Sequence, residues 1–335
     1  MDLKIGVIGT GAIGQEHIQR LNHKTQGAHV VAISDINKEK ATLLAKEIGA
    51  KFYETGEALI ADPEVDAVVV TSWDPTHEQY VLEAIKHNKY VFCEKPLATD
   101  SEGCRRIVDA EVANGKKLVQ VGFMRRYDRG YMELKEVIEN RQLGEPLLLH
   151  CAHRNPTVDK NYETPMAIIN TAIHEIDALR WLLQEDYVSV QVILPKQTSY
   201  THEKLHDPQM VILETESGIH IDLEVFVNCQ FGYDIKCVVV CETGEISLED
   251  PSYTRVKAKG KDYTTVSPDW QSRFMDAYDK EFQLWIHSIQ ADAITGPTAW
   301  DGYVASITMV ACGVARESGE RVAISLDSCP ALYQA

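Results

Sequence analysis

The sequence predicts an α/β chain of two domains: an N-terminal doubly wound parallel sheet, then an α+β domain with a large, mostly antiparallel, open-faced sheet. Two observations predict this. Up to about residue 120, nearly continuous apolar runs alternate with stretches of helical spacing, as in parallel sheets covered on both faces. After about residue 125 the strands lengthen and little helix separates them. We therefore predict domains at 1–123 and 124–335, with the last helix able to pack back on the first domain.

In the first domain, the runs rich in valine and isoleucine are the predicted strands, at residues 4–8, 30–34, 67–71, 90–93 and 117–121. The stretches with helical apolar spacing are the predicted helices, at residues 14–21, 38–48, 77–87 and 101–114. Strands of this kind that alternate with helices imply a parallel sheet with helices on both faces.

In the second domain, a first helix is predicted at 131–140. The long apolar or alternating segments are predicted strands, at 147–152, 188–194, 210–215, 219–227 and 235–241. Further helices are predicted at 167–184, 272–291 and 300–317. Residues 219–225 alternate strictly between apolar and polar, which is typical of an antiparallel sheet with one covered face.

Composition and charge exclude several classes of protein. Of 335 residues, 25% are charged and 44% are apolar, which excludes disorder, collagen and coiled coil. The 33 basic and 50 acidic residues give a net charge of −17, so nucleic acid and anionic membrane surfaces are unfavourable partners. The sequence shows no signal peptide and no apolar run near the roughly 20 residues of a membrane span. Eight cysteines without a CxxC pair favour reduced thiols and a cytoplasmic protein.

The glycine-rich segment at residues 9–14 predicts a cofactor site. It follows a predicted strand and opens a predicted helix, and Asp35 ends the next strand, which together is the dinucleotide fingerprint of a Rossmann domain. Gly9 permits a tight turn, Gly11 lets the backbone approach a pyrophosphate, and Gly14 lets helix and strand pack closely. The Asp35 carboxylate would accept hydrogen bonds from the adenosine ribose and repel a 2′-phosphate. The predicted cofactor is therefore NAD rather than NADP.

A second candidate group is Lys95, in the Cys-Glu-Lys-Pro-Leu segment at 93–97. This segment lies at the carboxyl end of the fourth predicted strand, the edge where open α/β sheets bind ligands. A lysine there would lower the pKa of a substrate hydroxyl and stabilise a developing alkoxide. By its position alone, an ordinary surface lysine in a strand-to-helix turn is an equally good interpretation.

The third candidate is His174. On a helix, Asn170, His174 and Asp177 share one face, and a histidine there can take a hydroxyl proton as hydride leaves. The competing interpretation is a buried structural histidine bonded to Asp177, which we would favour without the cofactor motif.

No metal site is predicted. His174 and Glu175 lack the second histidine at position 178 that a zinc protease motif requires. His202 and His206 lie in a polar stretch that favours a loop over a metal site.

The chain resembles the glucose–fructose oxidoreductase / inositol dehydrogenase / MocA-type family over nearly its full length. The motifs that carry the resemblance lie at 6–14, 71–73, 92–98, 120–128, 150–157, 174–177 and 296–303. The Glu-Lys-Pro motif is specific to the whole superfamily. The segments at 120–128 and 150–157 are typical of a much smaller group within the superfamily, the inositol dehydrogenases.

The resemblance implies roles residue by residue. Lys95 and His174 match the catalytic lysine and histidine. The positions that match the polyol pocket are Met124, Arg125, His153, Asn155, Thr171 and Tyr233. We assign to the cofactor site Gly9, Gly11, Ala12, Ile13, Gly14, Asp35, Ser72, Trp73, His77, Glu94 and Lys95. The family also implies that the open-faced sheet buries against a partner subunit, so a homotetramer is expected.

Asn170 departs from the family pattern, which has an aspartate four residues before the histidine. Asparagine keeps the shape and one acceptor oxygen but has no charge to stabilise an imidazolium. We therefore list Asn170 with the catalytic residues and consider two consequences. His174 is a weaker base than in relatives, or Asn170 serves a different polyol stereochemistry by donating to a hydroxyl.

The resemblance thus implies NAD-dependent oxidation of a secondary alcohol on a cyclic polyol, with myo-inositol to 2-keto-myo-inositol as the leading expectation. Scyllo-inositol, another inositol isomer or a pyranose sugar is the near alternative. A non-catalytic NAD(H)-binding sensor is the alternative from another class. It is disfavoured by the presence of both Lys95 and His174 and weakly favoured by Asn170.

Overall fold

The computed structural model describes residues 2–249 and 254–334. The chain divides into two compact units. Unit 1 comprises Met1–Phe123, Tyr278–Ser306 and Asp327–Ala335, and unit 2 comprises Met124–Ala277 and Ile307–Leu326. Both units are therefore discontinuous in sequence, and the later stretches of the chain contribute to each.

Unit 1 contains a parallel sheet that has six strands within the described residues. These are β1 (Leu3–Ile8), β2 (Ala28–Ser34), β3 (Lys51–Tyr53), β4 (Ala67–Val70), β5 (Tyr90–Cys93) and β6 (Val119–Val121). Their order is β3-β2-β1-β4-β5-β6, and every pair is parallel. The order reverses between β1 and β4, which is where open α/β sheets bind ligands. The predicted doubly wound sheet is confirmed.

The helices of the first 123 residues connect these strands. They are α1 (Ala12–His23), α2 (Lys38–Ile48), α3 (Gly56–Ala61), α4 (His77–Lys86) and α5 (Ser101–Asn114). Side chains cap three of them, because Asn37 accepts from the Lys40 N–H, Thr55 from the Ala58 N–H and Asp100 from the Gly103 N–H. In contrast, α1 begins at Gly11 without a side-chain cap.

The sheet of unit 2, in the part of the chain the structure describes, is antiparallel apart from one pair. Its strands are β7 (Pro146–Arg154), β8 (Tyr187–Ile193), β9 (Gln209–Thr215), β10 (His220–Phe226), β11 (Asp234–Cys241), β12 (Glu245–Ser247) and β15 (Val322–Ala323). The order is β12-β11-β7-β10-β9-β8-β15, and only β7 and β10 run parallel. The strands β13 (Arg255–Ala258) and β14 (Lys261–Thr264) form a separate hairpin.

Burial alternates along the strands of this sheet. In β9, β10 and β11 the residues with buried side chains alternate with half-exposed ones, so one face is covered and the other is partly open. On the covered face, the Tyr187 hydroxyl donates to the Ile176 carbonyl at 2.8 Å. The predicted mostly antiparallel, open-faced sheet is confirmed.

The remaining helices are α6 (Arg129–Glu139), α7 (Ile173–Leu183), α8 (Trp270–Gln290) and α9 (Ala299–Ser318). The predicted single helix over 167–184 differs in its first part, because residues Ala167–Ala172 form π-helical turns that lead into α7. A π turn holds more residues than an α turn. The α-helical spacing used to place Asn170 and His174 on one face therefore does not apply before residue 173.

Candidate active site

Two glycines of the predicted cofactor loop are required by the backbone. Gly9 has φ +96, and a Cβ there would lie 2.5 Å from backbone atoms of Thr71 and Ser72. A Cβ on Gly14 would lie 2.2 Å from the Gly9 carbonyl oxygen. These contacts agree with the predicted tight turn at Gly9 and the close packing of α1 at Gly14.

Gly11 has a different environment. A Cβ built on Gly11 meets no atom within 4 Å, so the backbone there borders open space. Gly11 is also the N-cap of α1, which has no side-chain cap and no acidic residue in its first turn. The amide groups at this helix start, Ala12 and Ile13 among them, fit the pyrophosphate of a dinucleotide, because uncapped N–H groups and the helix dipole favour an anion.

Asp35 follows the last residue of β2, and its carboxylate is held in place by neighbouring groups. Oδ2 accepts from the Thr10 amide at 2.5 Å and from the Thr10 hydroxyl at 2.9 Å. Oδ1 accepts from the Asn37 amide at 2.7 Å. The carboxylate is thereby fixed beside the glycine turn. Ile36, the next residue, is 99% exposed and offers an uncovered apolar side chain at this end of the sheet.

The loop after β4 carries three of the predicted cofactor residues. The hydroxyl of Ser72 lies 2.7 Å from that of Thr76, and the Trp73 side chain is 76% exposed. His77 is instead buried, with Nδ1 2.7 Å from the Pro96 carbonyl oxygen and Nε2 3.0 Å from that of Ser72. The structure therefore places His77 between two loops, where its visible contacts are to backbone carbonyls.

Lys95 follows β5, at the carboxyl end of the sheet of unit 1. Its side chain is half-buried, and its amide donates to Oε2 of the adjacent Glu94 at 3.2 Å. Glu94 is itself buried. The backbone of Lys95 is thus hydrogen-bonded to a buried carboxylate.

Unit 2 holds a buried polar cluster of Arg125, Tyr131, His153, Glu175 and Tyr233. Arg125 pairs with Glu175, and both side chains are 1% exposed. The Nδ1 atom of His153 lies 2.9 Å from Oε2 of Glu175 and 3.1 Å from Nη2 of Arg125. The Tyr233 ring meets the His153 ring edge to face, with centroids 5.5 Å apart. Three residues of the predicted polyol pocket are therefore brought together here.

Burial and charge determine the protonation of this cluster. Burial raises the pKa of the Tyr131 and Tyr233 phenols, so both remain neutral donors. Burial by itself would lower the pKa of Arg125, but interactions with the two phenols raise it. The guanidinium is therefore a permanent buried cation, and Glu175 supplies its counter-charge.

Glu175 and Tyr131 were not among the residues predicted from the sequence. Glu175 directly follows His174, within the predicted motif, but the helical-face argument selected Asp177 instead. The structure shows that Asp177 forms a two-point pair with Arg126, at 2.9 and 2.5 Å. A charged residue in an otherwise apolar stretch, as Glu175 is, was the available signal for a buried ion pair.

Three other predicted residues of unit 2 lie in α7 or in the π-helical segment before it. His174 is buried at the start of α7, and its ring centroid is 6.3 Å from that of His153. Thr171 lies in the π-helical segment, where its hydroxyl is 2.7 Å from that of Tyr162. Asn170 is half-buried in the same segment.

Met124 and Asn155 complete the predicted set in this unit. Met124 is buried at the start of a short 3₁₀ helix, Met124–Tyr127. Asn155 follows β7, and its backbone bonds to the Phe226 carbonyl and the Cys229 amide, both at 3.0 Å. These bonds fix the backbone of Asn155 beside the end of β10.

The described residues contain neither a metal-binding cluster nor a helix that could span a membrane. No group of three or more histidine, cysteine, aspartate or glutamate side chains there is arranged to hold a metal ion. No helix in the same residues has the length and apolar character to cross a membrane.

Comparison with known families identifies the chain. Residues 3–123 match an oxidoreductase family described by its NAD-binding Rossmann fold, and residues 135–324 match the C-terminal alpha/beta domain of the same family. The chain belongs to the GFO/IDH/MocA oxidoreductase family. The predicted resemblance is confirmed, and NAD is the cofactor that the family and the glycine turn both indicate.

Full-length relatives are also similar. An inositol 2-dehydrogenase from Pseudomonas savastanoi pv. phaseolicola is 55% identical, over 99% of this chain and 100% of the relative. One from Klebsiella pneumoniae is 54% identical, over the whole of both chains. The crystal structure of a Lactobacillus casei myo-inositol dehydrogenase, in complex with NAD(H) and myo-inositol, matches with a TM-score of 0.97 at 42% identity, over 100% of both chains.

Proposed function

We propose that this oxidoreductase is an NAD-dependent polyol dehydrogenase that oxidises myo-inositol to 2-keto-myo-inositol. The observation that carries the proposal is the full-length similarity, at 55% identity, to an inositol 2-dehydrogenase. The similarity to a structure that holds NAD(H) and myo-inositol supports the same substrate.

The residues of unit 1 fit the cofactor. When bound, NAD supplies the acceptor for the hydride that leaves the substrate carbon. The open space at Gly11 and the uncapped start of α1 would hold the pyrophosphate, and Asp35 would hold the adenosine ribose. Ser72, Trp73, His77, Glu94 and Lys95 complete the proposed site.

Lys95 and His174 are the proposed catalytic residues. His174 takes the proton of the reacting hydroxyl, and Lys95 donates a hydrogen bond to the same oxygen and stabilises its developing negative charge. No metal is required for this chemistry, because a protonated lysine supplies the positive charge at the alkoxide. Asn170, four residues before His174 in the sequence, is the proposed third member of the set.

The polar cluster of unit 2 is proposed to recognise the remaining hydroxyls. Arg125, His153 and Tyr233 are buried. The Arg125 guanidinium contacts the His153 ring nitrogen, and the Tyr233 ring packs edge to face on His153, so their orientations are restricted. Met124, Asn155 and Thr171 are the other proposed pocket residues. A polyol needs several such partners, because each buried hydroxyl left unpaired weakens binding by about 1–3 kcal/mol.

Asn170 favours one alternative. An amide can donate to a hydroxyl, whereas an ionised aspartate only accepts. The same chemistry on scyllo-inositol, on another inositol isomer or on a pyranose sugar is therefore the second candidate.

The proposal also includes the oligomeric state and the cellular location of the protein. We propose a homotetramer that buries the half-exposed face of the unit 2 sheet, because β9, β10 and β11 present apolar as well as charged side chains there. We also propose a cytoplasmic location, since seven of the eight cysteines are buried as free thiols and the eighth is partly so. Light scattering coupled to gel filtration would give the mass of the assembly.

The test is NADH formation by the purified protein, followed by absorbance, with NAD and a panel of inositols and pyranoses. We expect the highest kcat/KM with myo-inositol. A higher value with another polyol would transfer the proposal to that substrate. NADH binding without turnover of any polyol would support the sensor interpretation instead.

A further inference from the structure

Unit 1 contains a buried chain of polar side chains that ends at the proposed catalytic lysine. The His17 ring on α1 is fully buried, and its Nε2 lies 2.8 Å from Oε1 of Glu94. On the other side of the ring, Nη1 of Arg20 lies 2.7 Å from Nδ1. Three polar side chains in an otherwise apolar interior need a reason, since each is unfavourable to bury unless fully bonded.

The partners fix the tautomer of His17. An arginine guanidinium only donates, so Nδ1 of His17 must accept from Arg20 and carries no proton. The single ring proton is therefore on Nε2, where it is donated to Glu94. Burial lowers the pKa of His17, despite the opposing effect of Glu94, and this keeps the ring neutral.

This arrangement keeps Glu94 ionised. Burial alone would raise the pKa of its carboxyl, but the hydrogen bond from His17 and the charge of Lys95 lower it below its ordinary value. Oε1 accepts from His17, and Oε2 accepts from the Lys95 amide at 3.2 Å. The two oxygens thus have separate tasks, one toward α1 and one toward the lysine backbone.

The surroundings leave the carboxylate little freedom to move. A Cβ on Gly122 would lie 3.0 Å from Oε2 of Glu94, so the backbone of residue 122 closes one side. The ring of His17 also packs against Phe282 and Phe92, with centroids 4.4 and 5.9 Å away. A movement of the His17 ring would therefore be transmitted to Glu94 rather than absorbed by empty space.

The lysine segment is held from its other end as well. The Pro96 carbonyl oxygen lies 2.7 Å from Nδ1 of the buried His77. Lys95 is thus placed between a bond to its own amide and a bond to the carbonyl of the next residue. At the other end of this series of polar side chains, Nε of Arg20 donates a hydrogen bond to Asp279 at 2.6 Å.

The geometry points to His17 and Arg20 as positioning residues for Lys95, which they hold in place through the Glu94 carboxylate. This inference rests on the proposed function, because it assumes that Lys95 acts on the substrate hydroxyl. A displacement of a catalytic group by about 1 Å can lower the rate by roughly 10²-fold, so indirect positioning of this kind has a measurable effect.

The experiment compares two replacements of His17 in the full-length protein. Leucine removes both hydrogen bonds. Glutamine keeps them, because its amide nitrogen can donate to Glu94 and its oxygen can accept from Arg20. We expect His17→Leu to lower kcat by roughly 10²-fold, and His17→Gln to recover most of that loss.

One measurement and one further variant separate positioning from general damage. The kinetic isotope effect with substrate deuterated at the reacting carbon should increase in His17→Leu, because a misplaced lysine slows the hydride step. Should His17→Leu not fold, Glu94→Gln serves instead. It is isosteric, but an amide cannot accept both hydrogen bonds, so the same loss of kcat and larger isotope effect are expected.

Glu111→Gln is the matched control. Glu111 is also a buried carboxylate of unit 1, but it does not contact the polar side chains that lead to Lys95, so this variant should keep the parent kcat. Equal kcat values for the parent, His17→Leu and Glu94→Gln would overturn the positioning role, as would a His17→Gln variant as impaired as His17→Leu. Turnover by the parent protein tests the proposed function separately, and the ratios among variants test the positioning role.

Discussion

Nδ1 of His153 lies 2.9 Å from Oε2 of Glu175, while the other oxygen of the same carboxylate pairs with Arg125. Two residues of the proposed polyol pocket, one on β7 and one after β6, thus share one buried anion on α7. The carboxylate links binding to stability, because the same group orients the pocket and neutralises a buried cation.

Replacement of Glu175 should therefore affect both properties. Glu175→Gln leaves the Arg125 guanidinium buried without its counter-charge, and we expect a loss of about 3–5 kcal/mol in the free energy of unfolding. The KM for myo-inositol should also rise, because His153 loses its fixed orientation. Urea unfolding and steady-state kinetics would measure the two effects.

Glu133→Gln is the control for this change. Glu133 pairs with Arg129 on the exposed surface of α6, where removal of a charge pair changes stability by about 0–1 kcal/mol. Similar losses for Glu133→Gln and Glu175→Gln would contradict the assigned importance of the buried pair.

The choice of cofactor should depend on Asp35. Asp35→Ser removes the charge that repels a 2′-phosphate and the acceptors that bind the ribose hydroxyls. We expect kcat/KM to fall with NAD and to rise with NADP, measured as the ratio of the two values. Glu39→Gln, a charge removal at the start of the nearby α2, should leave the ratio unchanged. A constant ratio in Asp35→Ser would show that another residue selects the cofactor.

Asn170 allows a test of the proposed base. In Asn170→Asp, a carboxylate four residues before His174 in the sequence would favour the imidazolium and raise the histidine pKa. Since the reaction needs neutral histidine, the acidic limb of the kcat profile should move to higher pH. Above that limb kcat should increase, because the base is stronger. Rates equal to those of the parent at every pH would contradict the hypothesis that Asn170 makes His174 a weaker base. A change of preferred polyol would show that residue 170 determines substrate specificity.

Glu111 should make stability depend on pH. Burial raises its pKa from 4.5 to about 7, although hydrogen bonds from Tyr333 and from the amides of Leu118 and Val119 oppose the shift. The folded state thus favours the protonated form. This contribution is fully present below about pH 4.5 and is lost as the pH rises through about 7, a difference of about 3 kcal/mol.

Glu111→Gln should remove that dependence and be more stable than the parent near pH 8. Its amide can still accept from the two backbone N–H groups and can donate to the Tyr333 oxygen. Unfolding free energies at pH 5 and pH 8 would measure the effect, with Glu102→Gln on the exposed face of the same helix as the control. A parent whose stability is equal at both pH values would contradict the prediction.

The sequence predicted the elements whose pattern is local. Strands such as β4 and β5 are continuous apolar runs, and β10 alternates strictly, so the sequence pattern alone indicates them. The segments β3 and α3 were missed because three and six residues are too few to show a period. The strand β15 was missed for the same reason, since its two residues pair with β8, more than a hundred positions earlier.

The residues of the site also divide into those that a local motif predicts and those whose roles depend on distant partners. The roles of Gly9 and Gly14 follow from backbone sterics that a motif records, and the structure places them as expected. Glu175 and His17 could not be selected in this way, because their roles depend on partners distant in sequence, such as Arg125 and Glu94. The π-helical turns at Ala167–Ala172 span only six residues, too few for the sequence to show that their period differs from that of the α-helix that follows.

The division of the chain into units has a consequence for biosynthesis. Phe92 lies in the early part of the nucleotide-binding unit, yet Phe282 and Trp285, which pack on it with ring centroids 4.4 and 5.7 Å away, are made much later. A nascent chain that has emerged only as far as residue 123 therefore leaves Phe92 without these neighbours and Arg20 without Asp279. This unit is therefore completed only after residues 278–306 emerge from the ribosome. A chaperone that shields the apolar surface in the meantime would raise the yield of folded protein.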